Sequence, residues 1–340
     1  MTHAALNTRF AQRFQLTTPI ALAPMALATG GALAAACASA GALGLVGGGY
    51  GDLAWTQREY TLAADLLKND ATGQARLGCG FITWKLDENV EALDWVLTQK
   101  PRAIMLSFGD PRPYAARIAE ADAQLICQVQ RMDQVPLALD AGASIIVAQG
   151  GEAGGHGANA LEGRSTFTLV PELADYLATH SPNTLLLAAG GIGDGRGLAA
   201  ALMLGADGVL VGSRLWATQE SLAAAGAKTQ ATQTNGDGTA RSMVFDILRR
   251  KNWPAPYDFR AIRNTLHRQL ESDIAALQTH PESARADYDA GVKAGDFSRA
   301  HATVGEAVGL IADVPNAGVL IERITEQANS LLSARTVANH

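Results

Sequence analysis

Eight short apolar runs, recurring from Pro19 to Leu215, constrain this chain more than any other feature. They are PIALAPMA (19–26), LGLVGG (43–48), ARLGCGFI (75–82), AIMLSFG (103–109), QLICQVQ (124–130), SIIVAQG (144–150), TLLLAAGG (184–191) and GVLVGSRL (208–215). Most are apolar throughout rather than alternating, as strands are when both faces of a parallel sheet are covered. Helical patterns such as ENVEALDWVLTQ and GRGLAAALMLG lie between them. Eight strand-plus-helix units predict an α/β chain folded as a (β/α)8 TIM barrel. A doubly wound sheet fits less well, because no GxGxxG follows the first run. GGIGDG (190–195) is glycine-rich but follows the seventh.

With 340 residues, 48% of them hydrophobic, the chain is long enough for one large core and an appended piece. The rhythm breaks near Ala217. We read residues 1–220 as the barrel and 221–340 as a smaller, mostly helical domain on the substrate side. Residues 261–278 and 315–332 carry helical spacing, and the last helix is expected to pack back on the barrel. No further strand is evident after Ala217.

No charge occurs between Arg13 and Asp52, yet Pro19, Pro24 and repeated glycines interrupt any helix of the ~20 residues a bilayer requires. A net charge of −6 excludes a broadly basic nucleic-acid or anionic-membrane surface, and Arg249-Arg250-Lys251 reads as a solvated helix end. Cys37, Cys79 and Cys127 lack metal or CxxC spacing and read as buried reduced thiols. A soluble, cytoplasmic protein is the expectation.

In a barrel the active site lies at the C-terminal strand ends. Those ends offer no carboxylate pair, no metal cluster and no lysine placed for a Schiff base. They offer glycine, amides and small hydroxyls. After the sixth run comes AQGGEAGGHGANALEG (148–163), which surrounds His156 with glycine. Close approach of a flat ring to that backbone would account for the missing side chains. Gly190-Gly191-Ile192-Gly193 and Val211-Gly212-Ser213-Arg214 follow the seventh and eighth runs, where barrels commonly bind phosphate. The bland reading of either loop is a tight turn. A planar ring beside His156 and a phosphate at the last two strands together describe FMN.

These residues also carry a family resemblance. PIALAPMA, QGGEAGGHG, AAGGIGDGRGLAAALMLGADGVLVGSRL and VGEAVGLI (304–311) together resemble the nitronate monooxygenases, formerly called 2-nitropropane dioxygenases. The resemblance implies an FMN-bearing barrel with a smaller helical domain. It assigns Ala23, Pro24 and Met25 to the flavin ring, Gln149 and Gly154 to flavin contacts, and Gly191, Gly212 and Ser213 to the phosphate; Gly155, Gly190 and Val211 adjoin them as further cofactor-binding candidates. Threonine is more usual than Ser213. His156 matches the catalytic histidine.

One position departs from the pattern. The third strand usually ends in an asparagine that contacts the flavin, and here Gly80 stands there; Gln128 is a positional substitute. The implied reaction is O2-dependent conversion of an alkyl nitronate, or of a nitroalkane, to a carbonyl compound and nitrite. The alternative is an FMN-dependent reductase using NAD(P)H, of the enoyl-acyl-carrier-protein or quinone type. A non-enzymatic flavin-binding sensor gives His156 little purpose. No metal, nucleic acid or membrane is expected, and a homodimer stays open. The other histidines (His3, His180, His267, His280, His301 and His340) read as surface residues. Trp84, Tyr257 and Tyr288 read as packing, and Asp110 and Glu152 as either support for the site or loop solvation.

Overall fold

The computed structural model describes residues 6–337. Eleven strands run in chain order: β1 (Ile20–Leu22), β2 (Gly44–Gly49), β3 (Leu77–Ile82), β4 (Ala103–Ser107), β5 (Gln124–Val129), β6 (Ile145–Gln149), β7 (Gly155–Ala158), β8 (Leu185–Ala189), β9 (Gly208–Val211), β10 (Thr239–Ser242) and β11 (Tyr257–Ile262). Eight of them form one parallel sheet in the order β1-β9-β8-β6-β5-β4-β3-β2. A parallel bridge between Ala21 and Leu43 closes it, with Leu43 N–H donating to Ile20 O and Leu22 N–H to Leu43 O at 2.9 Å each. Each of the eight apolar runs matches one of these strands, β2 reaching one residue past its run to Gly49. The fold is the TIM barrel the sequence predicts.

Strand residues divide by parity. Leu45, Ala103, Met105, Ile145, Val147, Leu185 and Leu187 fill the barrel interior. Their neighbours Val46, Ile104, Leu106, Ile146, Ala148, Leu186 and Ala188 pack in the layer shared with the helices. That is why most of the runs are apolar throughout. The helix Arg9–Phe14 adds Phe10 and Phe14 to the interior cluster, closing the end at which β9 begins at Gly208. Glycines 193 and 195 belong to this packing too. A Cβ on Gly195 would lie 2.6 Å from backbone atoms of Ile324 and Ala328, and one on Gly193 2.9 Å from Leu310. The helix Ala317–Val337 accordingly buries Leu320, Ile321, Ile324 and Ala328 in the helical layer.

Beyond the barrel the chain is mostly helical, but it also carries strands the sequence does not announce. β10 and β11 pair antiparallel, and β11 pairs antiparallel with β7, giving a second sheet in the order β10-β11-β7. Residues 261–278 are consequently not one helix. β11 runs to Ile262, then come the short helices Thr265–Leu270 and Ile274–Thr279. Thr239–Ser242 is polar and half-buried, which leaves hydrophobic periodicity nothing to mark, and in Tyr257–Ile262 buried Phe259, Ala261 and Ile262 are too few to set a long pattern. All three cysteines are free and buried, and burial pushes the Cys79 and Cys127 thiols up to about 12. Among the described residues, no helix is long and apolar enough to cross a membrane, and no His, Cys, Asp and Glu side chains cluster to hold a metal ion.

Candidate active site

A cavity of about 650 Å³ opens at the C-terminal ends of the barrel strands. That lies within the range of cofactor and substrate pockets. Ala23, Pro24, Met25, Gln128, Gln149, Gly154, Gly155, His156, Gly190, Gly191, Gly212 and Ser213 all line it. Val211 does not: its side chain packs in the helical layer and its carbonyl accepts from Ala23 N–H at 3.0 Å. Residues from five barrel strand ends and from β7 thus meet in one space.

His156 sits in β7, directly opposite Phe259 of β11. Both oxygens of Asp246 lie within reach of its Nε2, at 2.9 and 3.0 Å. Trp253 stacks on the imidazole with centroids 3.4 Å apart and planes 13° apart, and Phe259 is 4.8 Å away on a tilted plane. Burial, reinforced by the Arg249 and Arg241 guanidinium charges, holds the imidazole well below its usual value. Burial also raises the Asp246 carboxyl to about 7, against the opposing pull of Arg249. Burial and the two guanidinium charges thus favour the neutral imidazole.

The glycines around it have a different cause from the one the sequence suggests. A Cβ on Gly154 would lie 2.5 Å from Gly305 N and Val304 C, and one on Gly157 2.9 Å from Arg241 Nη1. Approach of a flat ring does not account for these two positions; the protein itself fills the space. Arg241 donates to the carbonyls of Ala153 (2.6 Å), Asp258 (2.7 Å) and Gly155 (3.1 Å), pinning the loop to the second sheet. Gly305 N–H donates to Ser213 Oγ at 2.8 Å, and Glu306 N–H to Glu152 O at 2.9 Å. The VGEAVGLI segment is thus a strap joining the loops after β6 and β9. Gly155 alone in the loop requires a left-handed backbone (φ +71°), and a Cβ there would meet only Thr303 Cγ2 at 3.7 Å.

The loops after β8 and β9 remain open. A Cβ on Gly191 or Gly212 would meet nothing closer than 3.6 Å, and Gly190 and Gly191 hold φ of +102° and +74°. The N–H groups of Gly191, Gly212 and Ser213 make no backbone hydrogen bond among the described residues. Ser213 Oγ accepts from Gly305, leaving its O–H free to donate. This cradle fits a phosphate by its donors and by its missing side chains.

Amides line the middle of the cavity. Gln149 donates from Nε2 to His156 O at 3.0 Å, and its Oε1 accepts from Gln130 (2.9 Å) and Gln128 (3.2 Å). Gln149 therefore braces β7, while the Gln128 carbonyl makes no hydrogen bond among the described residues. At Gly80 an added Cβ would lie 2.2 Å from Pro24 Cγ. The Pro24 ring occupies the room an asparagine would need there.

Several other expectations change. His267 is buried, its Nε2 against Ser242 Oγ at 2.7 Å. His301 lines the cavity, its Nδ1 2.7 Å from the Tyr288 hydroxyl, and burial lowers it to about 3. Tyr288 also lines the cavity, whereas Trp84 and Tyr257 pack around Trp253. His3 and His340 lie outside the described residues. Asp110 is tied to Arg112 at the surface, and Glu152 accepts from Thr166 N–H and Oγ1 at the start of the helix Thr166–His180. Sequence reasoning missed Asp246, Arg249, Trp253 and Phe259, which lie far along the chain in segments without a motif.

The family model for nitronate monooxygenase matches residues 71–327. The chain belongs to the nitronate monooxygenase family. It is 36% identical to the nitronate monooxygenase npaC of Metarhizium robertsii, over 92% of this chain and 91% of that one. It is 31% identical to a nitronate monooxygenase of Neurospora crassa, over 90% of this chain and 88% of that one. Among solved structures, FabK from Thermotoga maritima superposes with a TM-score of 0.80 at 24% identity, over 98% of this chain and 99% of that one. The nitroalkane oxidase of Streptomyces ansochromogenes does so at 0.79 and 23%, over 95% and 99%. At those identities the two superpositions establish the fold. Family membership makes this nitronate monooxygenase homologue an oxidoreductase, and the family implies a flavin.

Proposed function

We propose that the protein uses FMN to oxidise alkyl nitronates with O2, releasing a carbonyl compound and nitrite. The observation that carries this reading is the meeting of buried His156 and the open Gly191–Gly212–Ser213 cradle in one cavity. The cradle would hold the FMN phosphate, Ala23 to Met25 would line the ring, and Gln128 would meet its polar edge. Bound there, FMN supplies the one-electron chemistry that side chains lack.

This chain's own residues then have separate tasks. A neutral imidazole can hydrogen-bond a nitronate oxygen, and it can take the α-proton from a neutral nitroalkane. Arg249 lies over the Phe259 ring at 4.5 Å, and its Nη1 is buried without a hydrogen bond. It supplies a positive charge beside His156 for an anionic substrate. Trp253, Phe259 and Phe108 exclude water around the imidazole. Phe108 holds a left-handed backbone (φ +67°), a strain found most often at functional sites.

A carrier-protein partner, which the reductase alternative would need, is less well served. Arg249, Arg250 and Lys251 do reach the cavity, but Arg250 is paired with Asp289 at 2.8 Å and Lys251 lies over the Tyr50 ring at 4.3 Å. The test is nitrite release coupled to O2 uptake from a short alkyl nitronate without NAD(P)H. Stoichiometric nitrite is expected. O2 uptake or turnover only when NAD(P)H is added would reject the proposal.

A further inference from the structure

We propose that Asp246 is a positioning residue that holds the His156 proton on Nε2, so that Nδ1 is the nitrogen that meets the substrate. The inference rests on the reading of His156 as the residue beside the reacting atoms. Its geometry does not. Nε2 has both Asp246 oxygens within 3.0 Å, whereas Nδ1 makes no hydrogen bond among the described residues and the ring lines the cavity.

A neutral imidazole carries one N–H, and the partner of one nitrogen decides the state of the other. If Nε2–H donates to the carboxylate, Nδ1 keeps its lone pair and can accept a proton from the cavity. If instead a protonated Asp246 donates to Nε2, the imidazole proton is on Nδ1 and no base faces the substrate. The surroundings favour the first arrangement. Arg249 Nη1 lies 3.9 Å from Asp246 Oδ1 and supports the ionised carboxylate. Arg241 from β10 adds a second positive charge beside His156, and Asp258 of β11 sets a negative charge against it near Asp246. Burial works the other way on Asp246, so the carboxylate depends on that Arg249 charge.

Asp246 cannot be a substrate contact. It does not line the main cavity; it faces a separate polar cavity of about 250 Å³ shared with Asn252, Gln278 and Arg285. Its carboxylate reaches the chemistry only through His156. Rotation of the ring about its bond to the strand is limited by Trp253, stacked on one face, and by Phe259, whose ring centroid is 4.8 Å away. Ring plane and tautomer are thus set by different residues.

The test uses flavin-loaded full-length protein with 15N-labelled histidine, the His156 signals being those that disappear in His156→Asn. At pH 8 the wild type is expected to show a protonated Nε2 and an unprotonated Nδ1. Asp246→Asn should mix the two tautomers and lower kcat with nitroalkane or nitronate by on the order of 10²–10⁴-fold, with KM changed much less. Asp246→Glu should recover part of kcat and the wild-type tautomer. A wild-type spectrum with the proton on Nδ1 overturns the proposal, and so does an Asp246→Asn spectrum unchanged from wild type. Should Asp246→Asn fail to fold, the wild-type spectrum and Asp246→Glu decide. The 15N result stands apart from turnover, so a protein with the expected tautomer and no nitronate activity would refute the functional reading alone.

Discussion

His156→Asn is expected to lower nitrite release from an alkyl nitronate by on the order of 10²–10⁴-fold while FMN stays bound. The backbone of residue 156 is held by β11 and by Gln149, so the loop does not depend on the imidazole for its path. The proposed phosphate cradle at Gly191, Gly212 and Ser213 lies in the loops after β8 and β9 and is untouched. The variant leaves Asp246 without its partner, a loss softened because a carboxyl raised to about 7 can be protonated in place. The check pairs nitrite assays with the visible flavin spectrum. Full turnover in the variant would remove His156 from the mechanism, and loss of flavin would make it a structural residue instead.

Gly154→Ala is expected to damage the protein by another route. Its Cβ would be placed 2.5 Å from Gly305 N and Val304 C, both backbone atoms that no rotamer change can move aside. Gly305 is itself tied to Ser213, so relief of the clash displaces a cradle residue. We expect a loss of about 1–3 kcal/mol or more, seen as a lower melting temperature, together with weaker flavin retention. Gly151→Ala is the control, since a Cβ there would meet only Arg164 O at 3.5 Å. Equal stability of the two variants would contradict the role assigned to the strap.

The barrel was legible because its strands are covered on both faces, and continuous apolar runs such as SIIVA announce that directly. The cavity was legible for the same reason: in a barrel, strand ends converge wherever the chain goes next. β10 and β11 were not. Their residues alternate Arg241 and Arg260 with small or aromatic groups, and their partners are each other and, for β11, the strand β7 far earlier in the chain. The surroundings of His156 were hidden by distance along the chain. Asp246 sits in an unremarkable helix, Val244–Leu248, and nothing local says that its carboxylate turns toward β7. Glycine misled in part. It marked the loop correctly, but Gly154 and Gly157 are small to admit Gly305 and Arg241, a packing need that looks in sequence like room for a ligand. Val211, read as part of a phosphate loop, ends a strand and faces the helices.

The most direct test of the central claim is the visible spectrum of the purified protein under strict anaerobiosis, with a short alkyl nitronate in one cuvette and NADH or NADPH in another. Loss of the flavin band near about 450 nm with the nitronate alone is the result this account predicts. Bleaching by the nicotinamide alone, with the nitronate cuvette unchanged, would contradict it.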